Sequence, residues 1–243
     1  NTALKIFCVG DDWQAISGFS GADTKFFKNF GSYFEGAKVL DLPDNYRSQE
    51  VIVEQSNKFM KNYEGVPSLV KRHDIPSNPL IKLFIDDVYI DYSAQNANYD
   101  RFKTLVMQKG VLRNFDKGYV MARLFRLCWQ IMKRHSLSET SFMILNRTHA
   151  MGSEYRYLSD FKNKLKNVFK DEIVQFSDFD SQVRCDTVHK SKGLDAEVVI
   201  ILNICERQFP LIHPDTNLSR ILGVSVENAY QEEERLFYVA ITR

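Results

Sequence analysis

The sequence predicts an α/β fold built around a mainly parallel sheet. Short apolar runs rich in β-branched and aromatic residues recur along the chain, and polar turns follow several of them. Segments with apolar residues at helical spacing lie between these runs. Alternation of strand, loop and helix is typical of a parallel sheet flanked by helices, with ligand chemistry at the carboxyl edge of the sheet.

The first half of the chain supplies five predicted elements. An apolar run at 4–9 is ended by Gly10 and two aspartates, as at the carboxyl end of a parallel strand. Helical spacing at 22–30 and a strand-like run at 38–42 follow. Ser48 is a good N-cap for the amphipathic segment 49–60, because a hydroxyl accepts from the free amides of a first helical turn. A further strand is predicted at 80–85.

The second half continues the alternation around its apolar runs. Residues 86–116, rich in Asn, Asp and Tyr, interrupt it as a long surface excursion, and 206–229, with Pro210 and Pro214, read as a connecting loop. The predicted elements are helices near 117–135 and 154–169, strands at 142–146, 183–188 and 198–203, and a last helix at 230–241.

Composition places the chain among ordinary globular proteins. Its 243 residues, 44% of them apolar, suffice for one large domain or two small ones. The net charge of +1 results from 32 basic and 31 acidic residues, so any nucleic-acid contact must use a local basic groove. No apolar run reaches the roughly 18 residues of a membrane span, and no signal-peptide pattern is present.

The four cysteines predict a reducing, cytoplasmic environment. They form no Cys-x-x-Cys pair, and Cys8, Cys185 and Cys205 lie beside apolar, strand-like residues, which favours buried, reduced thiols. Because Asn1 enters directly into a strand-like run, we expect an excised fragment of a longer protein.

Five segments carry a family resemblance. They are 9–23 (VGDDWQAISGFSGAD), 45–48 (NYRS), 143–149 (MILNRTH), 186–199 (DTVHKSKGLDAEVV) and 232–243 (EEERLFYVAITR). In this order they resemble motifs III, IV, IVa, V and VI of the UvrD/Rep family of superfamily 1 DNA helicases, and within it the helicase IV-like members. The resemblance extends from residue 9 to residue 243.

The resemblance implies a RecA-like, P-loop NTPase-type parallel sheet flanked by helices, as in the second motor domain of these helicases. Residues 1–36 would then be the end of the first RecA-like domain, and 37–243 the second. Only 36 residues separate His149 from Asp186, where UvrD and Rep hold a large helical insertion, so no large 2B-type insertion is expected. A chain-specific elaboration is predicted near 86–134.

Gln14 and two arginines are the predicted catalytic residues. Gln14 follows a strand end and a tight turn, where its amide can donate to a phosphate oxygen and accept from a water. A guanidinium from a neighbouring domain stabilises charge on a transferring phosphoryl group. By resemblance, Gln14, Arg47 and Arg243 contact the γ-phosphate. The alternatives are a glutamine bonded to its own backbone, a salt bridge from Arg47 to Asp41 or Asp44, and a solvated Arg243.

Three further residues are nucleotide contacts by resemblance. Tyr46 would stack on the adenine, and Gly193 and Asp195 belong to the segment that approaches the ribose. Asp195 stands where glutamate is commoner in the family, so this contact would come from a shorter side chain.

Eight residues are predicted to contact DNA. Exposed loop aromatics stack nucleobases for roughly 1–3 kcal/mol each, and Trp13 and Phe19 flank Gln14 in such a loop. Phe19 falls where the family places a base-stacking Trp, with a core aromatic as the alternative. Strand ends that offer hydroxyl, imidazole and ammonium groups suit backbone phosphates. The resemblance assigns such contacts to Arg147, Thr148 and His149 and to Thr187, His189 and Lys190, with a structural role as the alternative.

The loop around Phe19 departs from the sequence pattern of the family. Ser17, Gly18 and Ser20 stand where many members have Tyr, Arg and Arg, which removes one phosphate contact and part of the stacking surface.

The resemblance implies the C-terminal part of an ATP-dependent helicase that moves 3′ to 5′ on single-stranded DNA and separates duplex DNA. The sequence contains no Gly-Lys dipeptide and hence no Walker A loop, and the acidic pair at 171–172 lacks a preceding apolar strand. We therefore expect the main groups that bind ATP and Mg²⁺ to lie upstream, no metal site here, and no ATP hydrolysis by this chain alone.

The predicted partners are single-stranded and duplex DNA and the missing N-terminal motor domain, with RNA polymerase or DNA repair proteins as further candidates and no membrane. One alternative is a helicase-like ATPase that remodels a protein complex such as RNA polymerase. A measurement of duplex unwinding by the intact parent protein would distinguish this alternative from a helicase. The other is a degenerate DNA-binding scaffold, against which the presence of Gln14, Arg47 and Arg243 argues.

Overall fold

The computed structural model describes residues 5–71, 128, 130–132, 134, 140–149, 158–168, 179–204, 209–212 and 226–243. The chain divides into two compact units, one from residues 1–81 and 204–242, the other from 82–203 together with Arg243. Both units contain parallel strands, and the α/β class is confirmed. The proposed boundary between RecA-like domains at residue 36 stays a prediction.

Helices and strands follow one another along the described ranges, together with 3₁₀ turns at Asp12–Gln14, Gly18–Ser20 and His189–Ser191. In chain order they are α1 (Lys25–Lys28), α2 (Phe30–Tyr33), β1 (Asp44–Asn45), α3 (Glu50–Phe59), β2 (Leu69–Val70), β3 (Phe142–Asn146), α4 (Leu158–Val168), α5 (Phe179–Gln182), β4 (Val183–Thr187), β5 (Val198–Ile201) and α6 (Val226–Ile241).

The first unit holds a small parallel sheet and the longest described helix. β1 pairs with β2, with Asp44 opposite Leu69, and α3 lies between them in the sequence. The last helix, α6, begins at Val226, earlier than the predicted residue 230, and buries Leu236, Tyr238 and Val239.

Two predicted strands of this unit are wrong. Residues 5–10 and 38–42 have no regular structure, and Phe7 and Leu40 are 90% and 84% exposed. An apolar run becomes a strand only when a neighbour supplies its backbone hydrogen bonds, and no described strand pairs with either run. The helix predicted at 22–30 is instead two single turns, α1 and α2, separated at Asn29.

Helix α3 forms as predicted, but Ser48 is not its N-cap. The cap is Gln49, whose backbone is extended at φ −68° and ψ 156° and whose side chain makes no capping bond. Its Oε1 is buried and has no hydrogen-bond partner among the described residues. Ser48 is buried and donates its backbone N–H to Asn45 Oδ1 at 2.9 Å.

Replacing Gln49 by serine is expected to stabilise the protein by about 1 kcal/mol, because a serine hydroxyl at the N-cap reaches the free amides of the first turn. The change also removes a buried acceptor that has no partner in the part of the chain that the structure describes. The midpoint of urea unfolding should rise. Gln55→Ser, at an exposed position within α3, is the matched control and should leave the midpoint unchanged or lower it. A fall in the midpoint for Gln49→Ser would show that Gln49 has a compensating contact.

The second unit contains a three-stranded parallel sheet in the order β4-β3-β5. The predicted strand 142–146 is confirmed with the same bounds, and those at 183–188 and 198–203 end slightly earlier, at Thr187 and Ile201. All five residues of β3 are buried, as expected for a central strand. Helix α4, predicted at 154–169, buries Leu158, Phe161 and Leu165.

Several predictions fall outside the described residues. They include the strand at 80–85, most of the segments 86–134 and 206–229, the acidic pair at 171–172, and Cys205. No helix within the described ranges is long and apolar enough to cross a membrane.

Candidate functional site

The loop that carries Gln14 is organised by Asp11. One Asp11 carboxylate oxygen accepts the backbone N–H of Trp13 at 3.0 Å, and the other accepts Gln14 Nε2 at 2.6 Å. Asp11 is the N-cap of the 3₁₀ turn Asp12–Gln14. The Gln14 amide is thus half-buried, and the Asp11 side chain accepts one of its hydrogen bonds.

Trp13 is a core residue, and the expectation of an exposed stacking ring is wrong. It is 4% exposed and packs with Met60 and Tyr238, meeting the Tyr238 ring edge-on at a centroid distance of 5.5 Å. Its Nε1 donates to the Glu64 carbonyl at 2.8 Å. Gly65, at φ 141°, leaves the room for this contact, because a Cβ there would lie 2.4 Å from Trp13 Nε1. A ring enclosed in this way cannot stack on a base.

Helix α6 holds the same loop at two further points. Glu232 Oε1 accepts the backbone N–H of Gly18 at 2.9 Å, and Arg235 Nε donates to the Ala15 carbonyl at 2.8 Å. Burial lowers the pKa of the Arg235 guanidinium, an effect that the nearby carboxylate of Glu232 opposes. A Cβ at Gly18 would lie 2.5 Å from Glu232 Oε2. The glycine at this departure from the family pattern therefore permits the close approach of Glu232.

Arg47 lies in a turn directly after β1. Asn45 Oδ1 accepts the backbone N–H groups of Arg47 at 3.1 Å and of Ser48 at 2.9 Å, which fixes the turn. Arg47 Nη2 donates to the Thr242 carbonyl at 2.8 Å, at the C-terminal end of α6. A cation at that position satisfies a carbonyl which the helix leaves unbonded.

Tyr46 presents its ring to solvent. The side chain is 70% exposed, and its hydroxyl lies 3.4 Å from Asp44 Oδ2. The Asp44 carboxylate also forms an ion pair with Lys71 at 3.7 Å. An exposed ring beside a fixed turn has the form that stacking on a planar base requires.

Arg243 is buried, so the solvated alternative is wrong. It is 7% exposed, and its Nη1 donates to the Leu194 carbonyl at 3.4 Å. The flanking Gly193 has φ 83°, and a Cβ built on it would meet nothing within 4 Å, while Asp195 is exposed. The structure thus brings Arg243 to the segment predicted to approach the ribose.

The predicted DNA-contacting segments lie at one edge of the sheet in the second unit. β3 and β4 are parallel, with Asn146 opposite Thr187, so the segments after both strands emerge side by side. Of the predicted residues, Thr187 is buried at 6% exposure, Arg147, Thr148 and His189 are half-buried, and His149 and Lys190 are exposed. The ammonium group of Lys190 lies 3.9 Å from Asp186. The backbone of Phe19 lies in the 3₁₀ turn Gly18–Ser20 in the first unit.

Sequence reasoning missed two asparagines at this edge. Asn146 ends β3 with its side chain buried, and Asn203 follows β5 with a left-handed φ of 55°. Asn203 Nδ2 donates to Asn146 Oδ1 at 3.0 Å. The available signal was an amide residue at the end of each of two neighbouring apolar strands.

The prediction that the cysteine thiols are buried agrees with the structure only in part. Cys8, expected to be buried, is exposed because the run around it is not a strand. Cys128 is buried, and burial raises the pKa of Cys185 to about 12, which keeps its sulfur protonated. Among the described residues, no group of three His, Cys, Asp or Glu side chains is placed to hold a metal.

These contacts define a parallel α/β unit with polar loops at one edge of its sheet. Arg243, two residues after the end of α6, is buried and contacts Leu194. The chain belongs to the UvrD-like helicase C-terminal domain family, whose pattern matches residues 87–243.

Two curated relatives resemble the chain over its whole length. It is 26% identical over 246 residues to a probable DNA helicase of Mycoplasma pneumoniae and 29% identical over 250 residues to DNA helicase IV of Escherichia coli, all of this chain being covered in both cases. The chain spans 37% and 29% of the length of these relatives. DNA helicase II of Escherichia coli is 38% identical over 61 residues, which cover 25% of this chain and 8% of that protein. No solved structure matches the chain.

Proposed function

We propose that this chain is the C-terminal part of an ATP-dependent DNA helicase that moves 3′ to 5′ on single-stranded DNA and separates duplex DNA. The observation that carries the proposal is the parallel pairing of β3 with β4, which brings the segments 147–149 and 187–190 to one edge of the sheet. Cationic and imidazole groups at such an edge suit contacts to the phosphates of a strand.

The nucleotide side of the proposal rests on the two arginines and Tyr46. Arg47 lies in a turn fixed by Asn45, and Arg243 is held beside residues 193–195. Each guanidinium is a planar cation whose N–H groups can donate hydrogen bonds to phosphate oxygens. The exposed ring of Tyr46 is suited to stacking on an adenine. ATP would supply the phosphoryl group whose transfer drives movement, while this chain's residues bind and orient it. Gln14, held by Asp11, would sense the terminal phosphate.

The described residues fit Mg²⁺ poorly, because no cluster of acidic or imidazole ligands is present among them. We propose that the magnesium ligands and the phosphate-binding loop belong to a first RecA-like motor domain elsewhere in the protein. Residues 1–36 would then be the end of that first domain and 37–243 the second RecA-like domain, without a large 2B-type insertion, in a cytoplasmic protein that serves DNA repair.

The first test is ATP hydrolysis by the full-length protein with and without single-stranded DNA. We expect strong stimulation by DNA in the wild type and a loss of about a thousandfold in turnover for Arg243→Ala, as for other arginines that stabilise phosphoryl transfer. Arg184→Ala is the matched control, since Arg184 is an exposed arginine within β4. Wild-type turnover that is indifferent to DNA would contradict the helicase proposal and favour remodelling of a protein complex such as RNA polymerase.

A further inference from the structure

We propose that Asn146 and Asn203 are a positioning pair that holds the DNA-contacting loops in register at the edge of the sheet. The inference rests on the proposed function, because it assigns a role within the same site. The relevant segments are the carboxyl-edge loops, defined as residues 147–149 after β3, 188–192 after β4 and 202–203 after β5.

Asn146 bonds to all three carboxyl-edge loops. Its Nδ2 donates to the Thr148 carbonyl at 2.9 Å, and its Oδ1 accepts from Asn203 Nδ2 at 3.0 Å. Its backbone carbonyl accepts the N–H of Val188 at 3.0 Å. The side chain is 2% exposed, so water cannot easily replace these partners. One buried residue therefore ties together the starts of three loops that come from distant parts of the sequence.

The chemistry of the pair requires an amide at position 146. The Thr148 carbonyl can only accept, so the NH₂ group of Asn146 must face it, and Oδ1 must then face the donor on Asn203. Aspartate would lose the donor and place a charge in a buried site, and alanine would lose both bonds.

Asn203 supplies its donor from an unusual backbone position. Its φ of 55° is left-handed, a conformation that asparagine tolerates better than most side chains. The preceding residue, Leu202, donates its N–H to the Leu145 carbonyl at 2.8 Å, which anchors the chain on β3 just before the turn. The left-handed turn and the side-chain bond together fix where this strand leaves the sheet.

The loops tied in this way carry the predicted phosphate contacts. Arg147 and His149 lie on either side of Thr148, whose carbonyl is bonded to Asn146, and His189 follows Val188, whose N–H is bonded to it. Because a misplacement of about 1 Å at a binding group weakens function by up to about a hundredfold, fixing these backbones fixes the grip on DNA. Loss of the pair should therefore impair the response to DNA and leave the chemistry at saturating DNA intact.

The test measures DNA-stimulated ATP turnover of the full-length protein as a function of oligo-dT concentration. For Asn146→Ala we expect the half-saturating DNA concentration to rise about tenfold or more, with maximal turnover within about twofold of the wild type. Asn203→Gly keeps the left-handed backbone and removes only the side-chain donor. It is therefore the second test variant if Asn146→Ala does not fold. It should raise the half-saturating DNA concentration by a smaller factor. The double variant should not exceed Asn146→Ala, because both changes break the same bond.

Asn163→Ala, at an exposed position on α4, is the matched control and should leave the half-saturating concentration unchanged. Wild-type half-saturation in both variants, accompanied only by a lower melting temperature, would overturn the inference and leave a structural role. Maximal turnover that falls in step with DNA affinity would also overturn it. If the wild type itself does not respond to DNA, the proposed function fails, and the inference fails with it.

Discussion

Replacing Trp13 by alanine is expected to lower the free energy of unfolding by about 3–5 kcal/mol, the range for truncation of a large buried aromatic side chain. Trp13 is 4% exposed and shares its core cluster with Met60 and Tyr238. The change would leave a cavity beside Tyr238 and an unbonded carbonyl at Glu64. Urea unfolding followed by far-UV circular dichroism measures the loss.

Trp13→Phe separates packing from hydrogen bonding in the same cluster. Phenylalanine retains most of the apolar contact but cannot donate to the Glu64 carbonyl, so a smaller loss, of about 1–2 kcal/mol, is expected. Both variants should bind oligo-dT like the wild type under conditions where they remain folded. Unchanged stability together with weaker DNA binding would contradict the core assignment and restore a stacking role for Trp13.

The burial of Trp13 shows where local sequence patterns stop being informative. The loop around it has the composition of a ligand loop, and the predicted tight turn is present with Asp11 as its N-cap, but residues 5–10, which precede it, form no strand. The enclosure of the ring depends on Glu64, 51 positions further along the chain, and on Tyr238 near the C-terminus. Contacts of such long sequence separation leave no periodic signal near residue 13.

Strand β3, at the centre of its sheet, was predictable because its signal lies within its own residues. β3 is buried along its whole length, and a strand buried on both faces reads as a continuous apolar run. The runs at 4–9 and 38–42 have a similar local pattern, but no described strand pairs with them, and their large side chains are exposed. A strand is a property of a pair of segments, and one segment alone does not specify it.

Within the candidate site, residue types were predictable but the residues that position them were not. The resemblance pointed to Arg47, Arg243 and the loops after β3 and β4. Asn146, Glu232 and Arg235 lie within the segments that carry the resemblance, but it assigned them no role. They act through hydrogen bonds to backbone groups. Every residue has the same backbone groups, so the residue type of a backbone partner does not indicate that a side chain bonds to it.

Replacing Arg47 by alanine is expected to reduce DNA-stimulated ATP turnover of the full-length protein by about a thousandfold, the scale for removal of an arginine that stabilises phosphoryl transfer. Its turn is fixed by Asn45, and its Nη2 bonds the Thr242 carbonyl at 2.8 Å, so the guanidinium is already oriented before any ligand binds. The loss should appear in kcat more than in the KM for ATP, because the charge that Arg47 meets develops during the reaction. Steady-state kinetics at saturating oligo-dT measures both constants.

Arg47→Lys distinguishes that catalytic role from a purely structural one. Lysine can still donate to the Thr242 carbonyl and complement the C-terminal end of α6, but it lacks the planar fork that binds two phosphate oxygens. A catalytic Arg47 therefore predicts a lysine variant with nearly wild-type stability and turnover still reduced by about a hundredfold. Lys71→Ala, which removes the cation paired with Asp44 on the neighbouring strand, is the matched control and should retain activity. Near wild-type turnover in Arg47→Lys would mean that Arg47 serves only to hold the end of α6, and the phosphate contact would then have to come from Arg243 alone.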